Sequence, residues 1–206
     1  NNYRCLTINS HFGKLFNQLL NNRLNNFLIK HNIINKCQIG FQKDKRTTDH
    51  LYTMQTLIQK YNKLYKRKIY ACFIDFRKAF DKVWHLGLFY KLKCMNVGTK
   101  FYNIIRNMYT ENEVCMKFQN KITDFIRPTL GVKQGDNLSS SLFNIYINDL
   151  TSDFNDKCEP VTIGNSKIHC LMYADDIVLL SESKMGLQTS LDIVSQYCSK
   201  WKLEVN

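Results

Sequence analysis

Proline is nearly absent from this 206-residue chain, with only Pro128 and Pro160 present. Because proline removes a backbone donor and clashes with the preceding helical turn, its scarcity leaves long helices open. No Gly/Ser linker, internal repeat or low-complexity tract divides the sequence. Eight cysteines are scattered singly, with no CxxC pair and no histidines at zinc spacing, which excludes the common zinc modules. They read as reduced, mostly core thiols of an intracellular protein. No apolar run approaches the ~18 residues of a membrane span. A signal peptide is lacking too, so no membrane partner is expected. There is no initiating Met, and the ends "NNYRC" and "KLEVN" carry neither turn nor tail, so a segment of a longer protein is expected.

Acids are scarce in the first third. Residues 1 to 70 hold 13 Lys/Arg against only Asp44 and Asp49, and this stretch carries almost all of the net charge of +12. Such asymmetry suits a chain with one region facing a polyanion, because Lys/Arg pairing with phosphate supplies most nonspecific nucleic-acid affinity. A solvated basic face is the plainer alternative. With 44% apolar residues the chain is long enough for a sizeable core.

Phe12, Leu15, Phe16, Leu19, Leu20, Leu24, Phe27 and Leu28 recur at helical spacing after Ser10, a good N-cap. A second helix is expected from about Thr47 through Leu64, ending among Lys60, Lys63, Lys66, Arg67 and Lys68. "IYACFID" (69 to 75) reads as a strand buried on both faces and ending in a carboxylate. Helical patterns follow at 86 to 95 and 99 to 108, and a hairpin at 114 to 126. The polar loop "GVKQGDN" feeds a helix over "LSSSLFNIYINDL". "KIHCLMY" and "IVLLS" form two strands around Ala174 to Asp176, and a last helix capped by Ser183 carries Leu187, Leu191, Val194, Cys198 and Trp201. Strands and helices without strict alternation predict an α+β fold.

Asp175 and Asp176 interrupt the apolar run "LMYADDIVLL". Successive strand side chains point to opposite faces, so the two acids approach one point only at a sharp turn. Two carboxylates about 5 Å apart repel by roughly 3 kcal/mol at an effective dielectric near 20. No basic residue lies between His169 and Lys184 to offset this. Mg²⁺, usually held by one or two carboxylates plus phosphates and water, would do so. Asp75, ending the other strand, joins them if the strands are neighbours, and three acids around metal suit two-ion phosphoryl or nucleotidyl transfer. Taken singly, Asp75 reads better as a helix N-cap before "FRKAF", and Asp175 and Asp176 as turn formers, but together, each bounded by core-like strands, they favour the metal site.

"FIDFRKAFD" (73 to 81), "GVKQGDNLSSSLFNIYIND" (131 to 149) and "YADD" (173 to 176) resemble three successive blocks of the reverse transcriptases of non-LTR (LINE-like) retrotransposons. "YRCLTINSHFGKLFNQLLNNRL" and "NKCQIGFQKDKRTTDHL" are similar to that family's fingers blocks. The resemblance covers essentially the whole chain, and it is the order of the blocks that makes it specific. It implies a right-hand polymerase fold with fingers over 1–67, a palm over 68–206 and a second fingers portion at 86–127, without a thumb. Also implied are RNA-directed DNA polymerase activity, two Mg²⁺ ions with Mn²⁺ as a substitute, an RNA template, a DNA primer and dNTPs. Nuclear action would follow for a LINE-like parent.

By this likeness Asp75 and Asp175 are the principal metal ligands and Asp176 the less direct acid. Phe80 would bar a 2′-hydroxyl, Gln134 and Gly135 would pack against the templating base and nucleotide, and Arg4 would grip the triphosphate. Lys43, Lys45 and Arg46 keep the loop "GFQKDKRTT" basic for nucleic acid, although Gln42 and Asp44 depart from the usual pattern. Asp136, Asn137 and Ser140 depart as well, and the chain stops before the family's lysine-containing stretch. A group II intron-type reverse transcriptase, a noncatalytic nucleic-acid-binding remnant and a metal-dependent nuclease stay open as alternatives.

Overall fold

The computed structural model describes residues 6–154 and 157–206. Helix α1 (His11–Lys30) starts where Ser10 Oγ accepts the Gly13 N–H at 3.1 Å, the side-chain cap expected from its residue type. Only part of the expected apolar stripe packs. Leu20, Leu24 and Leu28 are buried, whereas Phe12 is 86% exposed and Leu15, Phe16 and Leu19 also face solvent. The buried face runs instead through Asn17 and Asn21, because their amides find partners across on α6 (Asn137–Ile147). Asn17 Nδ2 donates to Asp136 Oδ2, and Ser141 Oγ donates to Asn21 Oδ1 at 2.7 Å.

Helix α2 (Thr47–Lys60) runs into a π-turn, Tyr61–Tyr65, which ends at Lys66 in the left-handed region (φ 50°). Strand β1 (Tyr70–Ile74) follows, then the short α3 (Ala79–Lys82), α4 (His85–Cys94), α5 (Thr99–Thr110) and the small hairpin of β2 (Lys117–Phe118) and β3 (Lys121–Ile122). Beyond α6 come α7 (Leu150–Asp153), β4 (Val161–Ile163), β5 (Ser166–Ile168), β6 (Cys170–Tyr173), β7 (Asp176–Ser181) and α8 (Lys184–Trp201). The segment "KIHCLMY" is therefore two strands rather than one. Ser166–Ile168 pairs with β4, while the His169 carbonyl turns to accept the Leu180 N–H and β6 starts anew.

The main sheet has the antiparallel order β1-β7-β6, with Cys72↔Leu179 and Ile74↔Ile177 in register. Its inner face contributes Ile74, Met172, Ile177 and Leu179 to one large core with α1, α4, α5, α6 and α8. Helix α6 is the post of this core, buried from Ser141 to Ile147. On the outer face Leu57 and Tyr61 cover Leu171 and Leu180. They do not reach β1, where Ala71 and Asp75 are exposed and Phe73 is 76% exposed. The expectation of a strand buried on both faces is thus corrected. Phe73 is apolar, so the run hid an alternation that the pleat makes plain. Of the seven described cysteines, all free, Cys170 and Cys198 are buried in the core and Cys37, Cys72 and Cys158 pack against it, in line with mostly core thiols, whereas Cys94 and Cys115 are exposed.

One buried cation ties three helices together. Lys91 on α4 is 4% exposed and donates to Asp149 Oδ1 (2.5 Å), the Tyr197 hydroxyl (2.6 Å) and the Tyr146 carbonyl. Its ammonium lies 3.8 Å from the Trp201 ring centroid. Burial outweighs the attraction of Asp149 and pulls its pKa down to about 8 from 10.5. Between those values the unfolded chain holds a proton that the folded chain has released, so stability rises with pH. Tyr146, pushed up to about 12 by burial, acts oppositely, but only above about pH 10 where free tyrosines ionise. Urea denaturation from pH 8 to 10 should show the stability difference between parent and Lys91→Met rising by up to about 1.4 kcal/mol per pH unit, because the buried Cys198 thiol, pushed up to about 11, lowers the stability of both alike.

Candidate active site

The end of β1 and the turn between β6 and β7 open onto one cleft of about 830 Å³, lined by both Asp75 and Asp175. The register explains the meeting. Ile74↔Ile177 is the last β1–β7 pair, so Asp75 follows beside the start of β7, where Tyr173↔Asp176 closes a two-residue turn of Ala174 and Asp175. Strand pairing from the chain end steadies the first acid: Phe76 bridges Val205, and Asn206 donates its N–H to the Asp75 carbonyl (2.9 Å) and its amide to Asp75 Oδ2 (3.1 Å).

Asp176 is placed otherwise. As the first residue of β7 it is exposed and does not line the cleft, because neighbouring residues of a strand point to opposite sides. Among the described residues no three His, Cys, Asp or Glu are close enough to hold a metal ion. Asp75 and Asp175 are a pair of hard oxygen donors on an open cleft. That donor set fits Mg²⁺, which is commonly bound by one or two carboxylates while phosphates and water complete its shell.

Phe80 lines the same cleft on α3, its ring stacked on Phe143 of α6 at 4.8 Å between centroids and met edge-on by Phe41 at 6.1 Å. Gln134 and Gly135 line the cleft as well. Their loop is fixed to the Phe80 segment by two backbone bonds, Val132 N–H to Phe80 carbonyl and Gly131 N–H to Val83 carbonyl, each 2.8 Å. Gln134 Nε2 donates to Asp81 Oδ1 at 2.8 Å. Asp136, a departure from the family pattern, holds two elements in place, since it caps α6 through the Leu138 N–H and accepts from Asn17 of α1. Burial lowers the pKa of Lys133 on this loop, and that of His85, whose Nε2 lies 2.7 Å from the Gly131 carbonyl.

Lys43, Lys45 and Arg46 are exposed in the turn before α2 and do not line this cleft, while Lys45 borders a second one with Asp49 and His50. Arg4 lies outside the described residues. Sequence reasoning missed Phe41, Arg77, Lys78, Asp81 and Asn206 as lining residues. Asp81 closes the stretch "FIDFRKAFD", and its place one helical turn from Lys78 was the available signal.

Over residues 1–206 the sequence matches the family described as reverse transcriptase (RNA-dependent DNA polymerase). The chain belongs to this family. A probable RNA-directed DNA polymerase from transposon BS of Drosophila melanogaster is 28% identical over 212 residues, covering 99% of this chain and 22% of that relative. The Pol polyprotein of the type-2 retrotransposable element R2DM, from the same organism, is 27% identical over 204 residues, covering 99% of the chain and 19% of the relative. These bear out the likeness to non-LTR retrotransposon polymerases. The chain spans about a fifth of the length of these curated relatives. Telomerase from Candida albicans, solved with a fragment of telomeric RNA, superposes with a TM-score of 0.71 at 12% identity over 92% of this chain and 33% of that one. Apo telomerase from Candida tropicalis, truncated from its C-terminal domain, gives 0.64 at 17% identity over 94% and 38%. The fold is the α+β right-hand polymerase fold.

Gly135 has φ +93°, and a Cβ there would meet nothing nearer than the Thr7 carbonyl oxygen at 3.8 Å. The cost of Gly135→Ala is therefore conformational, about 1–2 kcal/mol. Chemical denaturation should register a loss of that size.

Proposed function

We propose that this chain is the core of an RNA-directed DNA polymerase that adds deoxynucleotides to a DNA primer along an RNA template. The observation carrying this reading is that Asp75 and Asp175, distant in sequence, line one cleft with Phe80 and the Gln134–Gly135 loop. Family membership and the RNA fragment in the Candida albicans telomerase structure support it. Residues 1–67 would act as fingers and 68–206 as palm, with 86–127 as a second fingers portion. Lys43, Lys45 and Arg46 would contact nucleic acid from outside the cleft. For a LINE-like parent the site of action is the nucleus.

In the reaction a primer 3′-hydroxyl forms a bond to the α-phosphorus of a dNTP, the bond to the bridging oxygen breaks, and pyrophosphate leaves. Asp75 and Asp175 would hold Mg²⁺, or Mn²⁺ in its place, whereas Asp176, exposed at the start of β7, stands outside the cleft. Two such ions, when bound, lower the hydroxyl's pKa and stabilise charge on the phosphate oxygens. Gln134 and Gly135 wall the nucleotide, and Arg4 grips its triphosphate. Phe80, backed by Phe143, cannot retreat from a sugar 2′-hydroxyl and so selects deoxynucleotides.

In the full-length protein, Asp75→Asn or Asp175→Asn should cut Mg²⁺-dependent primer extension on the order of a thousandfold, with template binding retained. Unchanged extension refutes the assignment, and template cleavage without dNTPs favours a nuclease. Phe80→Val should raise ribonucleotide incorporation relative to deoxynucleotide roughly ten- to a hundredfold, read by single-nucleotide insertion kinetics.

A further inference from the structure

The turn that carries Asp175 is gripped from a part of the chain far from both of its strands. Ala174, the other turn residue, is 3% exposed and has φ +56°, a left-handed conformation unfavourable to a residue with a Cβ. Such a conformation persists only where its surroundings over-determine it. Here the determinant is Gln38, itself 1% exposed. Its Oε1 accepts the Ala174 N–H at 2.9 Å, and its Nε2 donates to the Ala174 carbonyl at 3.0 Å. The same Oε1 accepts the Gly40 N–H at 2.9 Å.

The backbone around Gln38 is held with equal care. Ile39 N–H donates to the Met172 carbonyl (2.9 Å) and Met172 N–H to the Cys37 carbonyl (2.8 Å), extending the sheet beyond β6. At Gly40 a Cβ would stand 2.3 Å from the Ala174 nitrogen, so only glycine lets the segment come this close. The Gly40 carbonyl accepts from Asn144 Nδ2 of α6 at 2.8 Å, and Asn144 is 4% exposed. A chain of buried bonds therefore runs from the central helix through Gly40 and Gln38 to both backbone polar groups of Ala174.

We infer that Gln38 is a positioning residue for the metal-binding turn: by fixing Ala174 at both backbone groups it sets the direction of Asp175 and hence how tightly the cleft holds a divalent cation. The ion rests on the polymerase reading, but the grip on the turn does not. Gln38 touches no reacting atom, since its amide is occupied by backbone. A purely structural role would lower the melting temperature and the active fraction. It would leave the ion affinity of the folded molecules unchanged.

The test uses the full-length protein. Mn²⁺ binding without substrates, followed by electron paramagnetic resonance, and the Mg²⁺ dependence of primer extension are measured for the parent, Asp175→Asn, Gln38→Met and the double variant Gln38→Met/Ala174→Gly. Glycine relieves the left-handed strain at Ala174, and the folded fraction of each variant is measured by circular dichroism before ion binding is compared. Expected are a rise of about tenfold in the Mn²⁺ dissociation constant and in half-saturating Mg²⁺, a lower kcat, and a dNTP KM within about twofold of the parent. Gln38→Glu should approach the parent as the pH falls and its buried carboxyl regains a proton to donate to Ala174. Unaltered Mn²⁺ affinity in the folded double variant overturns the inference. Extension that fails in the parent while Mn²⁺ binding still depends on Asp175 and Gln38 sinks the polymerase reading and leaves the positioning role standing. Mn²⁺ binding indifferent to Asp175 overturns both.

Discussion

The antiparallel register of β1 on β7 is the constraint from which the rest of the site follows. With Ile74 opposite Ile177, the strand carrying Asp75 ends where the hairpin carrying Asp175 turns. A slip of one residue would flip every side chain of β1 to the other face. It would put Phe73 and Asp75 into the core and Ile74 into water. The register is secured from within, because Ile74, Ile177, Met172 and Leu179 all bury on the inner face. The burial of four apolar side chains thus fixes where two charged ones meet.

Helix α6 converts that register into a shaped cleft. It supplies Phe143 beneath the Phe80 ring, Asn144 to the Gly40 carbonyl and, through its cap Asp136, an anchor for α1. Nearly every α6 side chain is buried, and most of its polar residues find partners remote in sequence, on α1 and in the segment that follows it. Ser141 reaches Asn21 and Asn25. At its far end Asn148 binds both the Asn35 N–H and the Ile33 carbonyl at 2.8 Å. One helix therefore positions α1 and the segment from residue 33 to residue 40, which grips the hairpin turn.

Local signals were legible where chain neighbours decide the structure. Ser10 and Ser183 cap the helices expected of them, and the acid pair sits at the expected turn. The ordered motif blocks led to the family and to a fold that superposes on telomerase. Signals failed where a distant partner decides. The stripe from Phe12 to Leu19 looks buried by periodicity, yet α1 turns its asparagines inward because α6 offers them polar partners. His169 breaks an apparently continuous strand because its carbonyl serves Leu180. Nothing local marks Gln38, since its partner Ala174 stands 136 positions away.

The geometry also resolves why two aspartates interrupt an apolar run. The flanking strands Cys170–Tyr173 and Asp176–Ser181 are buried, but the hairpin tip projects from them, leaving Asp175 half-buried and Asp176 exposed. Neither charge bears the desolvation cost of a deep site, and water screens their repulsion. The strain falls on Ala174, which must adopt a left-handed backbone to turn the chain within two residues. A glycine there would adopt it freely and would also let the tip swing. An alanine held at both backbone groups by a buried amide gives a turn with one direction, and the carboxylate proposed to share an ion with Asp75 would need that fixed direction more than it needs burial.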